Sequence, residues 1–261
     1  MVNVGRRALA RYASRMDLAG RSALVTGASS GIGRATTLAL ARRQVDVKAT
    51  GRDAGALADV ARLSGAQTLT ADLSREEDLD RLLAWAGPVD VLVNNAGFGY
   101  KGSFAAMSHG LIEEMQRVNA TVAMLLTAAL LPSMVARGVG HIVNVASVAG
   151  YVGVRDEAVY SATKAALIAF SEGLRYELAG TGVGVSLVSP GPVATAFFER
   201  QGGPYDRRFP RPATAEQAAE AILRAIERDL PEVFVPRWMA SVARLRGSFP
   251  GLLRMGASRF G

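Results

Sequence analysis

Ser22-Ala-Leu-Val-Thr-Gly-Ala-Ser-Ser-Gly-Ile-Gly33 starts as a short apolar strand, passes through a turn with three glycines, and runs into a helical pattern from Ile32 to Arg43. Strand, glycine-rich turn, helix is the setting in which glycines bind phosphate. They let the backbone approach closely, and the helix N-terminus adds free N–H groups and the positive end of its dipole. The candidate contacts in the turn are Gly27, Ser29, Ser30, Gly31, Ile32 and Gly33.

The same alternation continues down the chain. Apolar runs at 45–50, 66–71, 89–93, 141–146, 184–188 and 232–235 read as strands. Helical patterns separate them, at 54–63, 75–86, 107–137, from before Tyr160 to about Leu178, and from a cap at Thr214 to Asp229. Strands alternating with helices, with no repeat and no linker, predict one α/β domain over 21–236. It is a doubly wound, Rossmann-like, seven-stranded parallel sheet flanked by helices.

Open α/β sheets bind ligands at the carboxyl ends of their strands, so the residues just past each strand are the candidates. After the second strand comes Gly51-Arg52-Asp53. An acid there would accept bonds from an adenosine ribose 2′-hydroxyl, whereas a guanidinium can clamp a 2′-phosphate. Arg52 therefore favours NADP(H), or it is a surface arginine opening a helix that Asp53 caps. After the third strand, Asp72-Leu73-Ser74 offers a carboxylate to an adenine amino group, or Ser74 caps the next helix. After the fourth, Asn94-Asn95-Ala96-Gly97 is small and polar, suited to close approach.

Tyr160 and Lys164, four residues apart, share a helix face. A nearby ammonium favours the phenolate and lowers the tyrosine pKa. The bland alternative is a half-buried tyrosine beside a solvated lysine. Asn119, mid-helix, is either solvated or a bend that exposes a carbonyl. His109 and His141 read as structural or solvated. Residues 193–212 lack periodicity and hold Phe197, Phe198, Tyr205 and Phe209 among prolines and glycines, which predicts a lid over a substrate.

The composition excludes much. Without cysteine there is no disulfide, thiolate ligand or cysteine nucleophile, and two histidines are too few for a histidine-rich metal site, so no metal is expected. The net charge of +7 sits at the ends. Residues 1–21 carry +4 and 237–261 carry +5, leaving −2 for the body. That distribution argues against nucleic acid. The ends read as a basic amphipathic lead-in, 1–20, and a basic amphipathic tail, 237–261, whose Trp238, Met239, Val242, Leu245, Phe249, Leu252 and Leu253 could form an apolar face. They suit a membrane surface or are simply solvated. The longest apolar run, Ala120 to Leu131, is broken by Thr121 and Thr127 and is shorter than the ~20 residues of a bilayer span. A cytoplasmic protein is expected.

Thr26-Gly27-x-x-x-Gly31-x-Gly33, Asn94-Asn95-Ala96-Gly97, Asn119, Ser147, Tyr160-x-x-x-Lys164 and Pro190-Gly191 occur in the order and at about the spacings of the short-chain dehydrogenase/reductase family, which the chain resembles over roughly 20–236. The resemblance implies strand order 3-2-1-4-5-6-7 and hydride transfer between NADP(H) and a carbonyl or secondary alcohol. It implies that Tyr160 is the acid or base, that Ser147 binds the substrate oxygen, and that Lys164 lowers the Tyr160 pKa and bonds the nicotinamide ribose. Asn119 would hold a water in a proton relay, and Val193 and Thr195, after Pro190-Gly191, would contact the carboxamide. Phe197 and Phe198 would meet substrate. Helices at 107–137 and 157–178 would pair in a homo-oligomer, a dimer or tetramer. Extensions beginning like Pro-Arg-Trp in similar members lean toward an apolar lipid-, acyl- or steroid-like substrate. Gln44 stands where the family usually has glycine. The competing function is a non-catalytic NADP-binding sensor or scaffold, a class that tends to lose the tyrosine or serine.

Overall fold

Alternation in β1 (Ser22–Thr26) sends its side chains to two different cores. Ala23 and Val25 join Ala39 and Leu40 of α1 (Gly31–Arg42) and Ile222 and Ile226 of α8 (Ala215–Arg228). Leu24 joins Leu82 of α3 (Glu76–Ala86) and Leu126, Leu130 and Met134 of α5 (Val122–Arg137) on the other face. A strand buried on both faces is what a parallel sheet covered by helices requires. The computed structural model describes residues 16–248 apart from 202, 204 and 206–208, with the backbone alone for 245–248.

The remaining strands are β2 (Asp46–Gly51), β3 (Gln67–Thr70), β4 (Val91–Asn94), β5 (Gly140–Val145), β6 (Val183–Pro190) and β7 (Glu232–Val235). They form one parallel sheet in the order β3-β2-β1-β4-β5-β6-β7. Both the α/β class and the strand order agree with the sequence reading. Ala23 pairs with Val47 of β2 on one side and Val91 of β4 on the other. The winding reverses between β1 and β4, so the crevice of a doubly wound sheet opens at their carboxyl ends.

The helix starts follow local chemistry. The Asp53 carboxylate accepts from the Ala56 N–H at 2.9 Å and caps α2 (Ala54–Ser64), which settles its role. Thr214 and Gln217 form a capping box on α8. Ser74 does not cap α3. Its N–H and hydroxyl both donate to Asp72 Oδ1, and the helix begins after Arg75. The helix expected over 107–137 is divided into α4 (His109–Gln116), a π-helical turn (Arg117–Thr121) and α5. Its whole length, His109–Arg137, is apolar and long enough to cross a membrane by length and composition, with 44% of its most apolar window buried within the protein. The sequence reading had judged only the unbroken run. Two threonines barely lower the average, and Leu126, Leu130 and Met134 turn toward the sheet.

Gln44 adopts φ +60°, the left-handed region that glycine occupies freely. Its N–H donates to the Ala41 carbonyl and its own carbonyl accepts from Gly20 N–H, so the turn is kept despite the side chain. Residues 1–15 of the lead-in lie outside the described residues, while Met16 and Leu18 are buried in the first core. The tail begins as α9 (Met239–Ser248). Phe249, Leu252 and Leu253 of its expected apolar face, and the side chain of Leu245, lie outside the described residues.

Candidate active site

Glycine geometry shapes the phosphate-type turn. Gly27 has φ +66°, and a Cβ there would sit 2.9 Å from Ala96 Cα. A Cβ on Gly33 would sit 2.3 Å from the Gly27 carbonyl oxygen and 2.5 Å from Asn95 Nδ2. A Cβ on Gly51 would meet Ser29 Oγ at 2.9 Å. The turn thus packs backbone against backbone at the start of α1. Asn95 ties it to β4: its Nδ2 donates to the carbonyls of Thr26 (2.9 Å) and Gly27 (3.3 Å). The Thr26 hydroxyl accepts from the N–H groups of Asn95 and Ala96, each at 3.0 Å.

A single cavity of about 1310 Å³ opens over these strand ends. Single drug-sized ligands occupy ~300–1,000 Å³, so it has room for two molecules side by side. All the sequence-nominated turn residues except the buried Gly33 line it. So do Arg52, Asp72, Leu73, Asn95, Ala96, Gly97, Ser147, Tyr160, Lys164, Pro190, Gly191, Val193, Thr195, Phe197 and Phe198. Arg52 is exposed and makes no hydrogen bond or ion pair with the described residues. Asp72 holds Ser74 through Oδ1, and its own N–H donates to Asp78.

Asn119 is absent from the cavity wall. It is 1% exposed, inside the π-helical turn, and its amide is committed to protein. Nδ2 donates to the Phe98 carbonyl (2.8 Å) and to Thr163 Oγ1 (3.2 Å), and Oδ1 accepts from Phe98 N–H (2.9 Å). The side chain is therefore a clasp on the loop after β4, neither solvated nor free to bind a ligand. The Thr163 hydroxyl in turn donates to the Tyr160 carbonyl at 2.7 Å. A π bulge at such a place is common near functional sites.

Ser147 follows β5 by two residues, and its hydroxyl accepts from Ala149 N–H (3.1 Å) at the start of a short 3-10 turn. Tyr160 and Lys164 lie one turn apart in α6 (Ala158–Glu177), both buried. Lys164 Nζ donates to the Val145 carbonyl at 2.9 Å and lies 5.8 Å from the centre of the Tyr160 ring. Here the sequence expectation is corrected. Burial pushes the Tyr160 pKa up, the Ser147 hydroxyl only partly opposes it, and Glu157 adds to the rise. Lys164 does not lower it. Burial pushes Lys164 itself down to about 8, because an ammonium is as poorly solvated here as a phenolate.

Several lining residues escaped the sequence reading. α7 (Phe197–Gln201) carries Arg200, whose Nη2 donates to Ser30 Oγ at 3.1 Å, and buried Gln201, whose amide N–H₂ has no partner. Trp238, Met239 and Val242 of the tail also reach the cavity. Met239 packs on Gly191 so tightly that a Cβ there would sit 2.2 Å from its sulfur. Aromatic rings run from Tyr160 to Phe197 (5.6 Å), Phe198 (5.8 Å) and Tyr205 (5.0 Å), and Phe209 stacks on Trp238 at 5.3 Å. The described part of 193–212 is thus joined to both the tyrosine and the tail. Parts of that lid, at 202, 204 and 206–208, lie outside the described residues. His141 is structural: buried, bonded to Ser186 and pushed down to about 3 by burial. Among the described residues no cluster of acidic or histidine side chains could hold a metal.

Comparison with known proteins gives this geometry a family. The model of the short chain dehydrogenases matches residues 21–204. The chain is similar to a ketoacyl reductase, HetN, of a Nostoc species, with 39% identity over 232 residues covering 84% of this chain and 79% of that protein. Among solved structures it is similar to a short-chain dehydrogenase from Sphingobium yanoikuyae in complex with NADPH, at 31% identity and TM-score 0.78, covering 88% of this chain and 95% of that one. It is also similar to a short chain dehydrogenase/reductase from Burkholderia phymatum in complex with NAD, at 27% identity and TM-score 0.79, covering 91% and 96%. With its seven-stranded sheet in the order expected and its motifs around one cavity, the chain belongs to the short-chain dehydrogenase/reductase family.

Proposed function

We propose that this oxidoreductase reduces an apolar ketone, or oxidises the matching secondary alcohol, with NADP(H). The observation that carries the reading is that Ser147, Tyr160 and Lys164 line the same cavity as the glycine turn. The residues suit a dinucleotide: the turn is a cradle in which a Cβ at Gly27 or Gly33 would clash with backbone. Arg52, exposed at the end of β2 and without an acidic partner among the described residues, suits a 2′-phosphate. Similar structures hold NADPH in one case and NAD in another, and Arg52 is the feature that favours NADP(H) in this reading.

When bound, NADP(H) supplies the hydride at its nicotinamide ring. The chain does the rest. Tyr160 gives the proton to the carbonyl oxygen as the carbon gains hydride, leaving an alcohol, and takes it back in the reverse direction. The Ser147 hydroxyl donates a hydrogen bond to the same oxygen and stabilises charge as it develops. Lys164, which lines the same cavity, would bond the ribose and return a proton to Tyr160. Asn119 fastens the loop after β4 at Phe98, and the carbonyls of its π-helical turn would hold a water for the proton relay. Phe197 and Phe198 make the substrate side apolar, and a ketoacyl chain, as in the name of the Nostoc relative, has the matching chemistry.

In this reading the enzyme works in the cytoplasm as a homo-oligomer through α5 and α6, where Leu125, Val135 and Tyr176 stand exposed. Phe209 (71% exposed) and Trp238 (43%) at the cavity rim, beside an acid-free arginine tail, favour contact with an anionic membrane surface. The deciding experiment is Tyr160→Phe followed by NADPH absorbance with a panel of ketones. The variant should keep NADPH affinity and lose at least about a hundredfold in kcat, the scale of general acid catalysis; undiminished turnover would sink the mechanism.

A further inference from the structure

We propose that Arg200 is a second cofactor-binding arginine: its guanidinium takes the pyrophosphate at the glycine turn and so pins α7 across the site. The inference rests on the reading that the cavity binds NADP(H). Arg200 Nη2 donates to Ser30 Oγ, 170 residues away in sequence, and both side chains line the cavity. Ser30 stands directly before α1 yet makes no side-chain cap to its own helix, so its hydroxyl is free to receive the arginine. The guanidinium has five donors, and this is its one hydrogen bond among the described residues, with no carboxylate paired to it there. A cation held beside the N–H groups that open α1 adds charge where a phosphate would sit.

α7 ties this charge to the substrate side. Its first residue, Phe197, lies against the Tyr160 ring. Its last, Gln201, accepts from the Lys101 N–H at 3.2 Å, on the loop after β4. The helix thus touches the glycine turn through Arg200, the tyrosine through Phe197 and the loop after β4 through Gln201. Arg52, at the end of β2, addresses a group found only in NADP(H), whereas Arg200 addresses one that NADH and NADPH share.

That difference gives the test. Dissociation constants for NADPH, NADH and 2′-AMP, which lacks the pyrophosphate, would be measured for the wild type and for Arg200→Gln, Arg200→Lys and Arg52→Ala. Glutamine can still donate to Ser30 but carries no charge. Arg200→Gln should weaken NADPH and NADH alike, by about five- to tenfold, and leave 2′-AMP unchanged. Arg200→Lys should recover part of the loss, and added salt should shrink it. Arg52→Ala should do the converse, weakening NADPH and 2′-AMP only. With α7 loosened, the substrate KM of Arg200→Gln should rise even at saturating NADPH. Dinucleotide binding within twofold of wild type in Arg200→Gln, or an equal loss for 2′-AMP, would overturn the proposal and leave Arg200 a structural strap. A wild type that binds neither dinucleotide would instead overturn the NADP(H) reading, and this one with it.

Discussion

Replacing Gly33 by alanine puts one methyl group where the turn has no space. Its Cβ would lie 2.3 Å from the Gly27 carbonyl oxygen and 2.5 Å from Asn95 Nδ2. Ordinary contact begins near 3.4 Å, so the carbonyl must retreat by about 1 Å, a figure that follows from those two distances and ordinary van der Waals packing. Neither neighbour yields freely. Asn95 is held by its own bonds to Thr26 and Gly27, and Gly27 sits against Ala96. The strain should cost about 1–3 kcal/mol of stability, as overpacking does, lowering Tm by roughly 2–10 °C. The larger effect is on function: a displacement of ~1 Å in a site costs on the order of a hundredfold in rate. Thermal melts with and without NADPH separate the two. At a hundred times Kd the cofactor should stabilise wild type by about 2.7 kcal/mol, and this upshift should vanish in Gly33→Ala. A variant that keeps the full NADPH upshift and kcat/KM within threefold would refute the claim that this close backbone packing forms the cofactor seat.

Arg52→Ala should lower kcat/KM with NADPH by about tenfold while leaving NADH unchanged, because only the 2′-phosphate loses its charge-assisted bonds; equal values for the two cofactors in wild type would contradict the assignment. His141 should make the fold acid-sensitive. Its folded pKa, pushed down to about 3, lies below the ordinary 6.5, so the unfolded chain binds a proton that the folded one refuses. Stability is therefore fully present above pH 6.5 and falls by about 1.4 kcal/mol per unit as pH drops from there toward 3. Urea melts at pH 7, 5 and 4 should show that slope reduced in His141→Gln, which can still bond Ser186. Gln44→Gly relieves a left-handed residue worth ~1–2 kcal/mol but loosens the unfolded chain by ~0.5–1 kcal/mol. The net is a Tm rise of about 1–4 °C by calorimetry.

The sheet was legible because burial on both faces writes itself as apolar runs, and each run ends in the small or polar residues that line the crevice. Strand limits moved by a residue or two, as at β6, which extends to Pro190. What escaped depends on contacts that have no period. Arg200 sits in an aperiodic segment and gains its meaning only when α7 crosses to Ser30. Met239 was read as part of an appended tail, 237–261, yet it packs into the turn at Gly191 just after β7. The π turn at Asn119 inserts one residue into an otherwise helical pattern, and sequence periodicity does not register it.

Spacing also misjudged the electrostatics at Tyr160, for a physical reason that bears on mechanism. Four residues along a helix guarantee proximity, but proximity lowers a pKa only if the neighbour keeps its charge. Both side chains are buried, and burial penalises phenolate and ammonium alike. Lys164 directs its Nζ to the Val145 carbonyl and sits near 8, so it is close to losing its proton where the tyrosine is far from losing its own. Of the chain's own groups, the Ser147 hydroxyl favours the phenolate, and burial outweighs it. Left to these residues, Tyr160 holds its proton at neutral pH. That is the state needed to donate to a carbonyl oxygen, whereas oxidation of an alcohol must first remove that proton. In the proposed reduction Lys164, pushed down to about 8 by burial and one helical turn from Tyr160, is the neighbouring group that would return a proton to the tyrosine.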